Sequence, residues 1–190
     1  MWMKNEDELV EAVLRGDHSS FELLLRPYRR GLLNMAYRMT GNYEEAKEVC
    51  QEALIRIFRY LDKFKKGKNF KNWIFRIVVN TAYDFLRGKK RYEKIVENQK
   101  RLTVSSAPSP EKQLLNKELK DKIETCLQKL SPKEKAVFFL RDEEGFSIEE
   151  TSKILGCSSL SVRTHLSRAR QKIREQFEKI YPLDGKEVKT

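Results

Sequence analysis

Between Ser159 and Arg174 the chain carries five Lys or Arg residues and no acid: Arg163, Arg168, Arg170, Lys172 and Arg174. The chemistry open to such a run is polyanion binding. A guanidinium presents a fork of donors that matches a phosphate or a guanine edge. His165 sits among these cations. Leu160, Val162, Leu166, Ala169 and Ile173 recur as the less polar positions, which predicts a helix with a basic face. The segment before it supplies a mount. Ser147 and Glu150 form an S-x-x-E capping box, Ile148, Ser152 and Leu155 follow along one side, and Gly156 marks the stop. Ser158 or Ser159 caps the next helix. A short helix, a glycine turn and a longer basic helix match helix-turn-helix geometry, with the second helix in a DNA major groove. The plainer reading is an αα-hairpin whose basic face is only solvated.

A second cationic cluster precedes and opens another helix. The loop Asp62–Asn69 holds Lys63, Phe64, Lys65, Lys66, Lys68 and Asn69. The helix predicted from Phe70 has Trp73, Ile74, Ile77, Val78, Thr81, Phe85 and Leu86 as inward positions. Arg76, Asn80, Tyr83, Asp84, Arg87, Lys89, Lys90 and Arg91 have no core role. Aromatic rings among cations hold single-stranded nucleic acid by stacking and phosphate contact. The rings here also fall at helical spacing. Phe85 is assigned to the core, while Phe64, Phe70 and Trp73 stay open between core and strand.

The remaining elements must position these clusters. Asn5–Arg15 is expected as a short helix with Leu9, Val10, Val13 and Leu14 inward. A helix from Asp17 to about Met39 follows, with Phe21, Leu24, Leu25, Tyr28, Leu32, Met35, Ala36 and Met39 on one stripe and a kink at Pro27. Asn42 and Glu45 cap a third helix, Glu44–Leu61, with Ala46, Val49, Cys50, Ala53, Leu54, Ile57, Phe58 and Leu61 inward. Its other face shows Glu44, Glu45, Glu48, Gln51, Glu52 and Arg56, either a solvated face with i,i+4 pairs or a docking surface for a partner helix. Glu97–Pro110, ending TVSSAPSP, reads as a linker. Beyond it come a helix Glu111–Lys129 and the start signal Ser131-Pro132-Lys133-Glu134.

The whole reads as an all-α protein of two small helical domains joined by a flexible linker. Residues 1–96 form the first, 97–110 the linker, 111–181 the second, and 182–190 a tail. Of the formal net charge of +11 over 190 residues, +9 lies in residues 61–101 and +4 in residues 159–190. Two separate basic zones imply two contacts with a polyanion. No stretch is long and apolar enough to cross a bilayer, and no signal peptide opens the chain, so a cytoplasmic protein without membrane insertion is expected. Cys50, Cys126 and Cys157 are far apart, and with His18 and His165 they form no metal-ligand spacing. No cofactor, metal or enzyme signature is present.

Two stretches carry a family resemblance. FELLLRPYRRGLLNMAYRMTGNYEEAKEVCQEALIRIF with FKNWIFRIVVNTAYDFLRGKKR resembles region two of bacterial extracytoplasmic-function sigma factors. LSPKEKAVFFLRDEEGFSIEETSKILGCSSLSVRTHLSRARQKIR resembles their region four. The resemblance implies a dissociable subunit of core RNA polymerase that selects promoters. Glu45, Glu48, Gln51, Glu52 and Arg56 would dock on polymerase. Lys63, Phe64, Lys65, Lys66, Lys68, Asn69, Trp73, Arg76, Asn80, Asp84, Arg87, Lys89, Lys90 and Arg91 would read and open the −10 element as a partly single-stranded segment. Ser159, Ser161, Arg163, Thr164, His165, Ser167, Arg168 and Arg170 would read the −35 duplex. An anti-sigma factor is an implied partner. Leu160-Ser161 replaces a common glycine-threonine pair, and His165 a common arginine. The alternatives are a helix-turn-helix regulator acting without polymerase and a protein-interaction adaptor.

Overall fold

A computed structural model describes residues 6–99 and 125–180, which are mainly helical and include no strand. Of the expected 97–110 linker, Glu97–Gln99 instead continue a helix, while residues 100–110, the first part of the 111–129 helix and the tail lie outside the described residues. The first region contains α1 (Glu6–Leu14), α2 (Ser19–Leu25), α3 (Arg29–Thr40), α4 (Tyr43–Arg59), a 3₁₀ turn (Leu61–Lys63) and the long α5 (Phe70–Gln99). The second contains α6 (Pro132–Phe138), a π turn (Phe139–Glu143), α7 (Ile148–Leu155) and α8 (Ser159–Ile180).

The helix starts follow the sequence chemistry. The Asn42 side chain accepts from the Glu44 and Glu45 amides at 2.9 and 3.1 Å. Ser131 with Glu134 and Ser147 with Glu150 both close reciprocal capping boxes. Asp17 accepts from the amides and hydroxyls of Ser19 and Ser20, which hold its carboxyl down at about 2. Where one kinked helix was expected across Pro27, there are two. α2 ends at Leu25 and α3 begins at Arg29, because a proline ring clashes with the carbonyl one turn back. Leu14 and Phe58, expected inside, are 51% and 44% exposed. Phe58 instead forms a surface cluster with Phe21 and His18, at ring distances of 5.1 and 5.6 Å.

The core centres on α5, which has two buried stripes. Ile74, Val78 and Thr81 belong to the stripe the sequence foretold. Phe75, Val79 and Ala82 are equally buried but lie on a second stripe. The second region covers part of it. Phe146 meets the Phe75 ring edge-on at 5.1 Å. The Lys71 ammonium donates to the Glu144 carbonyl at 2.9 Å and sits 4.5 Å from the centre of the Phe146 ring. The Asn72 amide donates to the Glu150 carboxylate at 3.3 Å. On α3, Arg38 pairs with Glu143 at 2.9 Å and lies over Phe139. A Cβ on Gly31 would stand 3.1 Å from both the Glu144 carboxylate and the Phe75 ring, so only glycine lets these groups approach without displacement. One continuous apolar cluster therefore joins the two regions.

Candidate nucleic-acid interface

α8 is mounted by one face. Val162, Leu166 and Ala169 are buried, and Val162 and Leu166 pack with Val137 of α6. Gly156, at φ 62°, closes α7 and turns the chain, and the Ser158 hydroxyl accepts from the Ser161 amide at 3.1 Å to start α8. Arg163, Thr164, Ser167 and Arg168 all point to solvent. Ser159 and Ser161 are half-buried beside them. His165 is also half-buried, with Nδ1 enclosed and without a hydrogen-bond partner among the described residues. Arg170 is engaged elsewhere. Its guanidinium grips the Asp142 carboxylate through two bonds of 2.7 and 3.1 Å, which ties α8 to the π turn. Lys172 likewise binds Glu134 at 2.7 Å. Burial alone would push the Glu134 carboxyl up, but Lys172 and the Ser131 amide hold it below its usual range. Leu160, grouped in the sequence with the less polar positions, is 72% exposed in the first turn of α8.

The second cluster surrounds the start of α5. Phe64 and Phe70 are 7% and 0% exposed. They pack edge-on at 5.2 Å, with Trp73 5.5 Å from Phe64. This corrects the placement of Phe64 among strand-contacting residues, because a ring enclosed by Phe70 and Trp73 has no face left for a base. Trp73 is half-buried and keeps part of its surface. Lys63, Lys65, Lys66, Lys68 and Asn69 are exposed along the loop, and Lys63 pairs with Asp62 at 3.1 Å. Arg76, Asn80, Arg87, Lys90 and Arg91 are exposed along α5. Lys89 is bound to Glu45 of α4.

α4 and α5 are joined by a chain of charges. Arg56 binds Glu52 at 2.8 Å and Asp84 at 2.9 Å, and Asp84 also binds Arg87 at 2.6 Å. Arg56, then Arg87, hold the Asp84 carboxyl below its usual value. A surface cleft of about 450 Å³ lies along this seam and includes Glu48, Gln51, Glu52, Arg56 and Asp84. The expected polymerase-facing residues therefore share one seam with Asp84, Arg87 and Lys89 of the expected −10-facing set. Ile55, 44% exposed beside it, was missed. Its signal was available, since it follows Gln51 by four residues on the same helix face.

The arrangement offers one basic helix for a duplex groove, one lysine-rich loop beside partly open aromatics, and one acidic cleft. Family models match both parts of the chain: Sigma-70 region 2 over residues 24–92 and Sigma-70 region 4 over residues 120–173. RNA polymerase sigma-H factor of Pseudomonas aeruginosa is 30% identical over 178 residues, spanning 90% of this chain and 92% of the relative. The extracytoplasmic-function sigma factor SigW of Bacillus subtilis is 30% identical, spanning 88% and 94%. The chain is an extracytoplasmic-function sigma factor of the sigma-70 family. Its fold agrees with that membership. The sigma factor RpoE of Bartonella quintana, solved with the anti-sigma factor NepR, aligns with a TM-score of 0.68 at 25% identity, covering 83% of this sigma factor and 96% of that chain. CnrH, solved with the cytosolic domain of CnrY, shares the fold at a TM-score of 0.68 and 22% identity, covering 90% and 96%. No described helix of this sigma factor is long and apolar enough to cross a membrane.

Proposed function

We propose that this sigma factor brings core RNA polymerase to promoters by gripping DNA at two places. α8 enters the −35 major groove with Arg163, Thr164, Ser167 and Arg168 at the base edges, and Ser159, Ser161 and His165 beside them. Arg170 reaches phosphate only by leaving Asp142, and otherwise serves as a brace. The loop Lys63–Asn69, with Trp73, Arg76, Asn80 and Asp84, takes the −10 strand, and Arg87, Lys89, Lys90 and Arg91 follow its phosphates. The cleft at Glu48, Gln51, Glu52 and Arg56, with Glu45 near its end, takes a helix of the polymerase. The two regions correspond to residues 1–96 and 111–181, linked by 97–110 and followed by the tail 182–190. The protein works in the cytoplasm as a non-enzymatic factor without a cofactor. An anti-sigma factor is its expected regulator, as RpoE of Bartonella quintana has in NepR.

The observation that carries this reading is the outward row of α8. Arg163 and Arg168 are exposed and have no ion pair among the described residues, while Arg170 and Lys172 on the same helix are consumed by acids. Transcription in vitro with purified core polymerase is the test. New starts at a defined set of promoters are expected. Tight duplex binding without stimulation of any promoter would favour the plain helix-turn-helix regulator.

A further inference from the structure

The lysine loop is fixed at its ends by the core and at its middle by α1. Phe64 and Phe70, which bracket it, are buried against each other, and the Tyr28 ring lies 6.0 Å from Phe70. Between them the chain makes a turn, with the Lys68 amide donating to the Lys65 carbonyl at 3.1 Å and Gly67 at φ 72°. This turn carries no buried side chain. Among the described residues, its hydrogen bonds and ion pairs beyond the loop come from α1. The Lys66 ammonium binds the Glu11 carboxylate, and the Gly67 amide donates to the Asp7 carboxylate at 3.3 Å. Asp7 and Glu11 are one helical turn apart and face the same way. α1 is itself held in place by buried Leu9, Val10 and Val13, and by the Tyr28 hydroxyl, which donates to the Glu6 carboxylate. The loop has Lys63, Lys65, Lys66 and Lys68 within six residues, and such like charges spread a free loop apart. Two carboxylates offset that repulsion at its tip.

We propose that Asp7 and Glu11 are positioning residues of the −10 reader, holding the Lys65–Lys68 turn in one shape so that it can discriminate between strands. The proposal rests on the sigma reading for what the loop binds, but not for the tie itself. A loose lysine loop still attracts any polyanion, because Coulomb attraction has no sequence preference. Selectivity requires a fixed surface, since a mobile loop must be ordered anew for each strand. Loss of the tie therefore lowers selectivity more than total binding.

Two measurements decide it, both on the full-length chain. In the first, trypsin cleavage after Lys65, Lys66 and Lys68 is followed in Asp7→Asn/Glu11→Gln. Cleavage there should be about five-fold faster than in the unchanged protein, the effect expected of two weak exposed tethers. The control Glu8→Gln, exposed on the same helix, should cut at the original rate. Equal cutting in the double variant overturns the proposal, whatever the loop binds. In the second, the protein is combined with core polymerase on a promoter library randomised at −10, and the transcripts are sequenced. The double variant should keep total transcript within about two-fold while enrichment of the preferred sequence falls about five-fold, with the same tether energies governing the ratio. With Lys66→Ala already present, Glu11→Gln should change enrichment no further. Unchanged enrichment, or a uniform rise over all sequences, overturns the proposal. No transcript from the unchanged protein overturns the sigma reading instead, and the trypsin result then decides the tie alone.

Discussion

α5 and α8 are both long and basic, yet they are held in opposite ways. The first half of α5 is buried on two sides, by α3 and α4 on one and by α7 with Glu144 and Phe146 on the other. α8 is seated by a single stripe, Val162, Leu166 and Ala169. Their cations nevertheless divide in the same way. On α5, Lys71 is drawn into the contact between regions and Arg87 and Lys89 pair with Asp84 and Glu45, while Arg76, Lys90 and Arg91 stay outward. On α8 the later cations Arg170 and Lys172 brace the domain, and the earlier Arg163 and Arg168 stay outward. The number of cations on each helix therefore exceeds the number left unpaired for a ligand.

The largest effect that separates the two helices is on folding. Phe75→Ala removes a wholly buried ring from the double-sided part of α5 and should cost about 3–5 kcal/mol, as large core truncations do. Urea melting checks this, and a loss under 1 kcal/mol would show that the second stripe of α5 is not a true core. Arg168→Ala should leave the melting midpoint unmoved. Its effect belongs to DNA binding, with about 1–3 kcal/mol lost and relaxed preference at one −35 position. Arg170→Ala should do the reverse in kind, weakening all duplexes alike and lowering stability slightly. If the two variants behave identically, the division between outward and bracing cations fails.

The smallest effect is of pH. The Ser147 amide and Asn72 hold the Glu150 carboxyl below its ordinary 4.5, and Glu134 is also lowered. Both carboxyls bind protons more readily in the unfolded chain. Their stabilisation is therefore complete above about pH 4.5 and is lost as pH falls through the depressed folded values. A melting series from pH 6 downward should show this loss, reduced in Glu134→Gln/Glu150→Gln. A loss of the same size in that variant would assign the acid sensitivity to other groups, such as Asp84.

Much of this was legible before any fold was known. The capping boxes at Ser131 and Ser147, the Asn42 cap and the left-handed Gly156 are local signals, written within four residues of their partners. The stripes of α3 and α4 are set by helical period and were read nearly whole. What escaped notice depends on distant chain. Phe75, Val79 and Ala82 were not recognised as core because Phe146, which covers Phe75, lies 71 residues further on. Phe58 carries the apolar signature of an inward position but sits beyond the edge of its face, whereas Leu160, two residues before Val162, falls on the side of α8 away from the buried stripe. Phe64 could have been core or strand contact from its neighbours alone, and only the Phe70 and Trp73 rings around it decide for core.

The contact made by Gly31, Phe75, Glu144 and Phe146 has a thermodynamic consequence for every partner. A ligand that grips both regions as they stand here meets a population already arranged for it. One that requires them apart binds only the fraction that has separated, and its apparent dissociation constant rises by the inverse of that fraction. Partners with equal contact energy are thus ranked by the spacing they demand. A substitution at Gly31, whose added Cβ would press on Phe75 and Glu144, would reorder that ranking by shifting the contact between the regions.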